Sequence, residues 1–174
     1  MKAKEKRDWS WFRDGDIKSC LSQCREILNL GFASGAHNPV IEGSLRTQLL
    51  IDLSDLLQKA DDEGARVAFT DHINASSNAK DVTDLIKNAR NAVCHVNSGL
   101  HLMSSNNKLR GPVVRGYSPR VIQIGDEFVG CDYADDVALI YGNQRVYVKR
   151  HIERAFNEVK KYFENRFLSE RRSG

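Results

Sequence analysis

DVTDLIKNARNAVCHVNSGL, residues 81–100, is the stretch that decides how this chain is read. Val82, Leu85, Ile86, Ala89, Val93, Val96 and Leu100 recur every three or four positions, the period of a helix with one apolar stripe. At about 100° per residue, Asn91 and His95 fall nearly opposite that stripe, one turn apart. Ser98 lies near them and Arg90 on the flank. The spacing predicts a helix that closes at Asn97-Ser98-Gly99. Arg90, Asn91 and His95 form a polar set on it, directed away from its own core toward solvent, a ligand or a second chain.

Working backwards, Leu45, Leu49, Leu53 and Leu56 make one row of a second helix over about 40–60, with Leu50 and Leu57 beside it. Ile51 lies on the other side, so this helix is apolar over more than one face. It is either central or in contact with a partner. Carboxylates in such a helix need partners. Asp52 or Asp55 reads either as orienting Arg90 or His95 across the bundle or as a solvated edge. GFASGAHNP, residues 31–39, is a break. Before it, Ile17, Leu21, Cys24 and Leu28 follow a helical period, with Asp16 as the expected N-cap. Residues 1–14 form a basic arm whose Trp9 and Phe12 are expected to pack on the bundle, because exposed aromatics are costly unless used. Residues 66–80 begin apolar and end turn-rich, with no decisive period; Ser76 or Ser77 is placed to help cap the helix that follows.

Working forwards, residues 101–120 carry Lys108, Arg110, Arg115 and Arg120 and no acid. Gly111-Pro112, Gly116 and Ser118-Pro119 mark them as a loop. Such a segment suits phosphates, with Tyr117 to stack on a base; a solvated loop with incidental charge accounts for the same residues equally well. Residues 121–124 read as a short strand, Gly125-Asp126 as a turn, and 137–141 with 145–149 as a hairpin about Gly142-Asn143-Gln144. The last helix starts near Arg150, with Ile152, Phe156, Val159 and Phe163 as its stripe. The fold class expected is mainly α: a single domain over 1–174, a bundle of four to five helices. Residues 101–149 are its basic loop and small antiparallel β insertion before the C-terminal helix.

Composition sets few limits beyond this. The chain has 174 residues, 41% hydrophobic and 28% charged, and its net charge of +3 is too small to mark a polyanion binder by itself. No apolar run reaches membrane-spanning length and MKAKEKRDW lacks a signal-peptide core, so a cytoplasmic protein without a membrane partner is expected. Cys20, Cys24, Cys94 and Cys131 lack zinc-ligand spacing and are expected to be reduced thiols, with no metal. Cys94 and His95, as helical neighbours, diverge by about 100° and so do not make a nucleophile–base pair.

Two motifs carry resemblances. Tyr133-Ala134-Asp135-Asp136, with apolar residues after it, resembles the catalytic hairpin of reverse transcriptases, where adjacent carboxylates hold magnesium. That chemistry also needs a carboxylate from an earlier strand, and the preceding 130 residues read as helices, so the motif is set aside as two Asp residues at a strand entrance. RNAVCH, residues 90–95, resembles the R-x(4–6)-H motif of the HEPN superfamily, including the Asn directly after the Arg. The resemblance implies a HEPN-like helical bundle that pairs as a homodimer and brings two motifs together. It implies a metal-independent endoribonuclease without cofactor, acting on RNA as a toxin or phage-defence effector, with a cognate antitoxin or regulatory protein as a further partner.

In that family's terms Arg90 binds the phosphate, His95 moves a proton and Asn91 orients the group, while Lys108, Arg110, Arg115 and Tyr117 are the candidate substrate-binding residues. Histidine suits proton transfer near neutral pH, and arginine offers a permanent charge in a planar fork. The products implied are a 2′,3′-cyclic phosphate and a 5′-hydroxyl. Asn97 stands where some members carry a Tyr, which sets this chain apart from the toxins modified there. Other HEPN domains serve as non-catalytic dimerisation or nucleotide- and protein-binding modules, and this is the alternative reading.

Overall fold

The structure, a computed structural model, describes residues 10–74, 78–95, 99 and 110–173. The helices expected are there: α1 is Ser10–Asn29, α2 Pro39–Asp62, α3 Val82–Cys94 and α4 Arg154–Ser173. Asn38 caps α2 by accepting from the Val40 amide at 2.9 Å, with Pro39 in the first turn where its missing N–H costs nothing. Asp81 caps α3 by accepting from the Asp84 amide at 3.1 Å. Ser76 and Ser77 lie outside the described residues. α1 begins at Ser10, so Asp16 is an interior residue and not its cap. Phe12 stays 45% exposed and stacks on Trp11 with ring centroids 3.5 Å apart; Trp9 is outside the described residues.

The expected mainly-α class is wrong. Among the described residues the four helices share the fold with five antiparallel strands in two sheets, a mixed α/β architecture with a built sheet. β1 is Arg110–Arg115, β2 Ser118–Ile124, β3 Glu127–Cys131, β4 Val137–Tyr141 and β5 Gln144–Tyr147. One sheet runs β1-β4-β5 and the other is the β2–β3 hairpin. The basic loop expected up to Arg120 is therefore β1 and the start of β2 from Arg110 onward. Gly111 and Pro112 disguise β1: the register with β4 slips between Arg110 and Val113. Proline is tolerated there because β1 is the edge strand and need not donate every amide to the ladder.

The sheet is a middle layer, which is why it cannot be a minor insertion. Side chains alternate across a strand. From β4, Leu139 and Tyr141 enter the core shared with the helices, while Ala138 and Ile140 enter a second core against the hairpin. Val113 and Val114 of β1 divide in the same way, as do Val146 and Tyr147 of β5. Val129 and Cys131 of β3 close the outer core, with Ile122 and Ile124 of β2 packed against it. The helical core is built from the predicted stripes, including Ile17, Leu21 and Cys24 of α1, Leu49, Leu53 and Leu56 of α2, and Phe156, Val159 and Phe163 of α4, all buried.

Two arginines bind irregular segments to this frame. Arg66 donates to Asp61 at 2.6 Å, Asp81 at 2.8 and 3.0 Å and Asp84 at 2.7 Å, fixing the segment after α2 to the start of α3. Arg115, at the end of β1, donates to the Ala33 carbonyl and to Glu42, each at 2.8 Å, joining the sheet to the α1–α2 loop. No helix of the described residues is long and apolar enough to cross a membrane.

Candidate functional site

α3 buries Val82, Leu85, Ile86, Ala89 and Ala92, which turns Lys87, Arg90 and Asn91 outward. α2 lies alongside, and the two helices leave a groove of about 280 Å³ lined by Ile51, Ser54, Asp55, Gln58, Lys87, Arg90 and Asn91. Arg90 and Asn91 are half-buried there, and Arg90 Nη1 donates to Asn91 Oδ1 at 3.0 Å. Arg90 forms no ion pair with a carboxylate among the described residues, whereas Arg66, Arg115, Arg150, Arg154 and Arg166 each do.

His95 is not on the helix as expected. α3 ends at Cys94; His95 has extended backbone (φ −120°, ψ 105°), and its amide closes the last turn onto the Asn91 carbonyl at 3.0 Å. The imidazole is exposed, one position past the helix, and is carried by the chain as it leaves Arg90 and Asn91. The apolar period continues through Val96 and Leu100 in the sequence, which hid this end.

Among the described residues no ion pair joins Asp52 or Asp55 to Arg90. Asp55 shares the groove with Arg90, but its carboxylate meets Lys59 at 2.5 Å. Asp52 accepts from Gln48 at 2.9 Å and faces the Cys20 thiol at 3.9 Å; burial raises its pKa. The cysteines are free thiols, and burial with the nearby Asp52 and Asp55 carboxylates pushes Cys20 up to about 11. Cys20 is a protonated thiol at neutral pH.

Of the candidate substrate-binding residues, neither Arg115 nor Tyr117 lines this groove. Arg115 is taken up by Ala33 and Glu42, and Tyr117 stands 68% exposed between β1 and β2. Arg110 opens β1, its side chain outside the described residues, as is the whole of Lys108. Of the paired aspartates, Asp136 is buried and accepts from the Val137, Lys149 and Arg150 amides and from Arg150 Nη1, at 2.7 to 3.2 Å. Asp135 meets Arg150 at 2.9 Å. Asp136 thus anchors the entry to the last helix, a π-helical turn over Val148–Glu153 that runs into α4.

Two arrangements escaped the sequence reading. His72 has a left-handed backbone (φ 63°) and its Nδ1 lies 2.7 Å from the Tyr133 hydroxyl, with Arg150 over the Tyr133 ring at 3.7 Å. Arg46 of α2 and Tyr141 of β4 line a second cleft beside α3. Nothing in the spacing joins these pairs, because each meets only through the sheet. Comparison with family models, with curated proteins and with solved structures finds no match.

Proposed function

We propose that this chain is a HEPN-type endoribonuclease that cleaves RNA as a homodimer, in the service of toxicity or phage defence. The reading rests on the RNAVCH motif, and the observation that supports it is Arg90: half-buried, oriented by Asn91, without a carboxylate among the described residues, and followed at the helix end by an exposed imidazole. Arg90 offers its fork to the non-bridging oxygens of a phosphodiester, with Asn91 holding one edge of the guanidinium. His95 takes the proton of the RNA 2′-hydroxyl. The O2′–P bond forms, the P–O5′ bond breaks, and a second copy of His95, brought by pairing, gives a proton to O5′. The products are a 2′,3′-cyclic phosphate and a 5′-hydroxyl.

The test is cleavage of total RNA in EDTA by the full chain, its His95→Ala variant and its Arg90→Ala variant, with the oligomeric state measured in parallel. Each substitution is expected to reduce cleavage by about a hundredfold or more while the assembly persists. Equal activity in all three proteins sinks the proposal, as does a monomer that cleaves at the full rate.

A further inference from the structure

A cleft of about 510 Å³ opens between the first turns of α2, the end of α3 and the β1–β4 edge, and shares no residue with the Arg90 groove. Its described lining holds one cation, Arg46, and no carboxylate. Arg46 is half-buried; its Nε is fully covered and has no hydrogen-bond partner among the described residues. Tyr141, 1% exposed, also lines the cleft, and its hydroxyl is buried without a partner among the described residues. Buried donors are nearly always satisfied in a native fold, so two orphans on residues that line one cavity point to a place for an acceptor.

Gly111 brings the pair together. Its backbone has φ +69°, and a Cβ there would lie 3.2 Å from Tyr141 Cε1 and 3.5 Å from Arg46 Nη2. Burial pushes the Tyr141 phenol up to about 12, so it remains a donor at neutral pH. The first turn of α2 contributes to the same wall and adds the positive end of a 24-residue helix. Val40 and Val93 supply apolar surface to the lining, Val40 being 76% exposed. The volume exceeds that of one oxyanion and leaves room for an organic group against this wall.

We propose that this cleft binds a small phosphate monoester, its phosphoryl oxygens accepting from Arg46 and the Tyr141 hydroxyl and its organic group resting on Val40 and Val93. Arginine matches phosphoryl oxygens with a fork of donors, and a second fixed donor favours a group with three free oxygens over a planar carboxylate.

Calorimetric titration of the full chain with phenyl phosphate, benzoate and inorganic phosphate tests this without RNA, so its outcome is separate from that of the cleavage assay. Phenyl phosphate is expected to bind saturably, and benzoate and inorganic phosphate each about tenfold more weakly or less. Arg46→Gln should weaken phenyl phosphate about tenfold or more, and Tyr141→Phe about threefold or more. Tyr141→Phe should leave the melting temperature of the unliganded protein unchanged or raised, because it removes a hydroxyl with no partner. The site is overturned by absence of saturable heat at millimolar phenyl phosphate, or by equal affinity in both variants. Benzoate binding as tightly overturns the phosphoryl assignment, and inorganic phosphate binding as tightly overturns the ester.

Discussion

Arg150 donates twice to Asp136, from its backbone amide at 3.2 Å and from its guanidinium at 2.9 Å. The Lys149 amide joins them on the other carboxylate oxygen at 2.9 Å. One buried side chain thus receives the start of the last helical segment and holds it against the mouth of β4.

Asp136→Asn keeps the shape but loses the charge and turns one acceptor into a donor facing donors. Arg150 keeps Asp135, but the buried backbone amides lose an acceptor, and the cost is expected to be about 1–3 kcal/mol. Urea denaturation of the variant should show this as a lower midpoint with an unchanged slope. A loss below about 0.5 kcal/mol would mean that the anchor is not needed.

His151 gives the fold a pH dependence whose sign can be worked out. It is fully buried; Nδ1 accepts from the Tyr147 amide at 3.1 Å, so Nε2 carries the hydrogen and donates to the Asp71 carbonyl at 3.1 Å. Burial lowers its pKa to about 4, against the pull of that carbonyl and of Asp136, and with help from His72 and Arg150. A base with a depressed folded pKa binds fewer protons folded than unfolded. Its contribution is therefore complete above the unfolded value of about 6.5 and declines as pH falls toward the folded value, by up to about 3 kcal/mol. Denaturation followed from pH 7 to pH 4 should show that decline, and His151→Gln should flatten it. An equal slope in both proteins would remove His151 as its source.

Gly130 lies where the β2–β3 hairpin crosses itself. A Cβ there would collide with the Ser118 carbonyl oxygen and come within 2.7 Å of the Pro119 carbonyl carbon, both backbone atoms of the partner strand. The register of the hairpin slips in this region, between Ser118 and Ile122. Backbone cannot step aside as a side chain can, so Gly130→Ala is expected to cost about 2–3 kcal/mol and to open the outer core. Hydrogen exchange should then rise first at Val129 and Cys131. Protection equal to that of the parent protein would show that the strands can part without cost.

The helices were legible because each has one buried stripe, and a stripe is a local signal. The strands expected at 121–124, 137–141 and 145–149 are there as β2, β4 and β5, but the weight of the sheet in the fold was not legible, for two physical reasons. β4 is buried on both faces, and its place in the fold depends on partners supplied by α2, α4 and the hairpin. β1 carries Gly111 and Pro112, which ordinarily signal a loop and here mark an irregular edge strand. At the site, the outward placement of Arg90 and Asn91 followed from the stripe opposite them. The helix end before His95 did not, since no glycine or proline stands between Cys94 and Gly99 to announce it. The Arg46–Tyr141 pair had no local signature at all.

The Glu42–Arg115 clasp spans 73 positions of chain. Contacts this distant form only after the entropy of a large loop has been surrendered, a cost that nearby helical turns never face. α1 and α2 can dock early through their own neighbouring side chains, but Glu42 must wait beneath them until β1 arrives. The helical half therefore gains this ion pair, and Leu139 in its core, only once the sheet has formed.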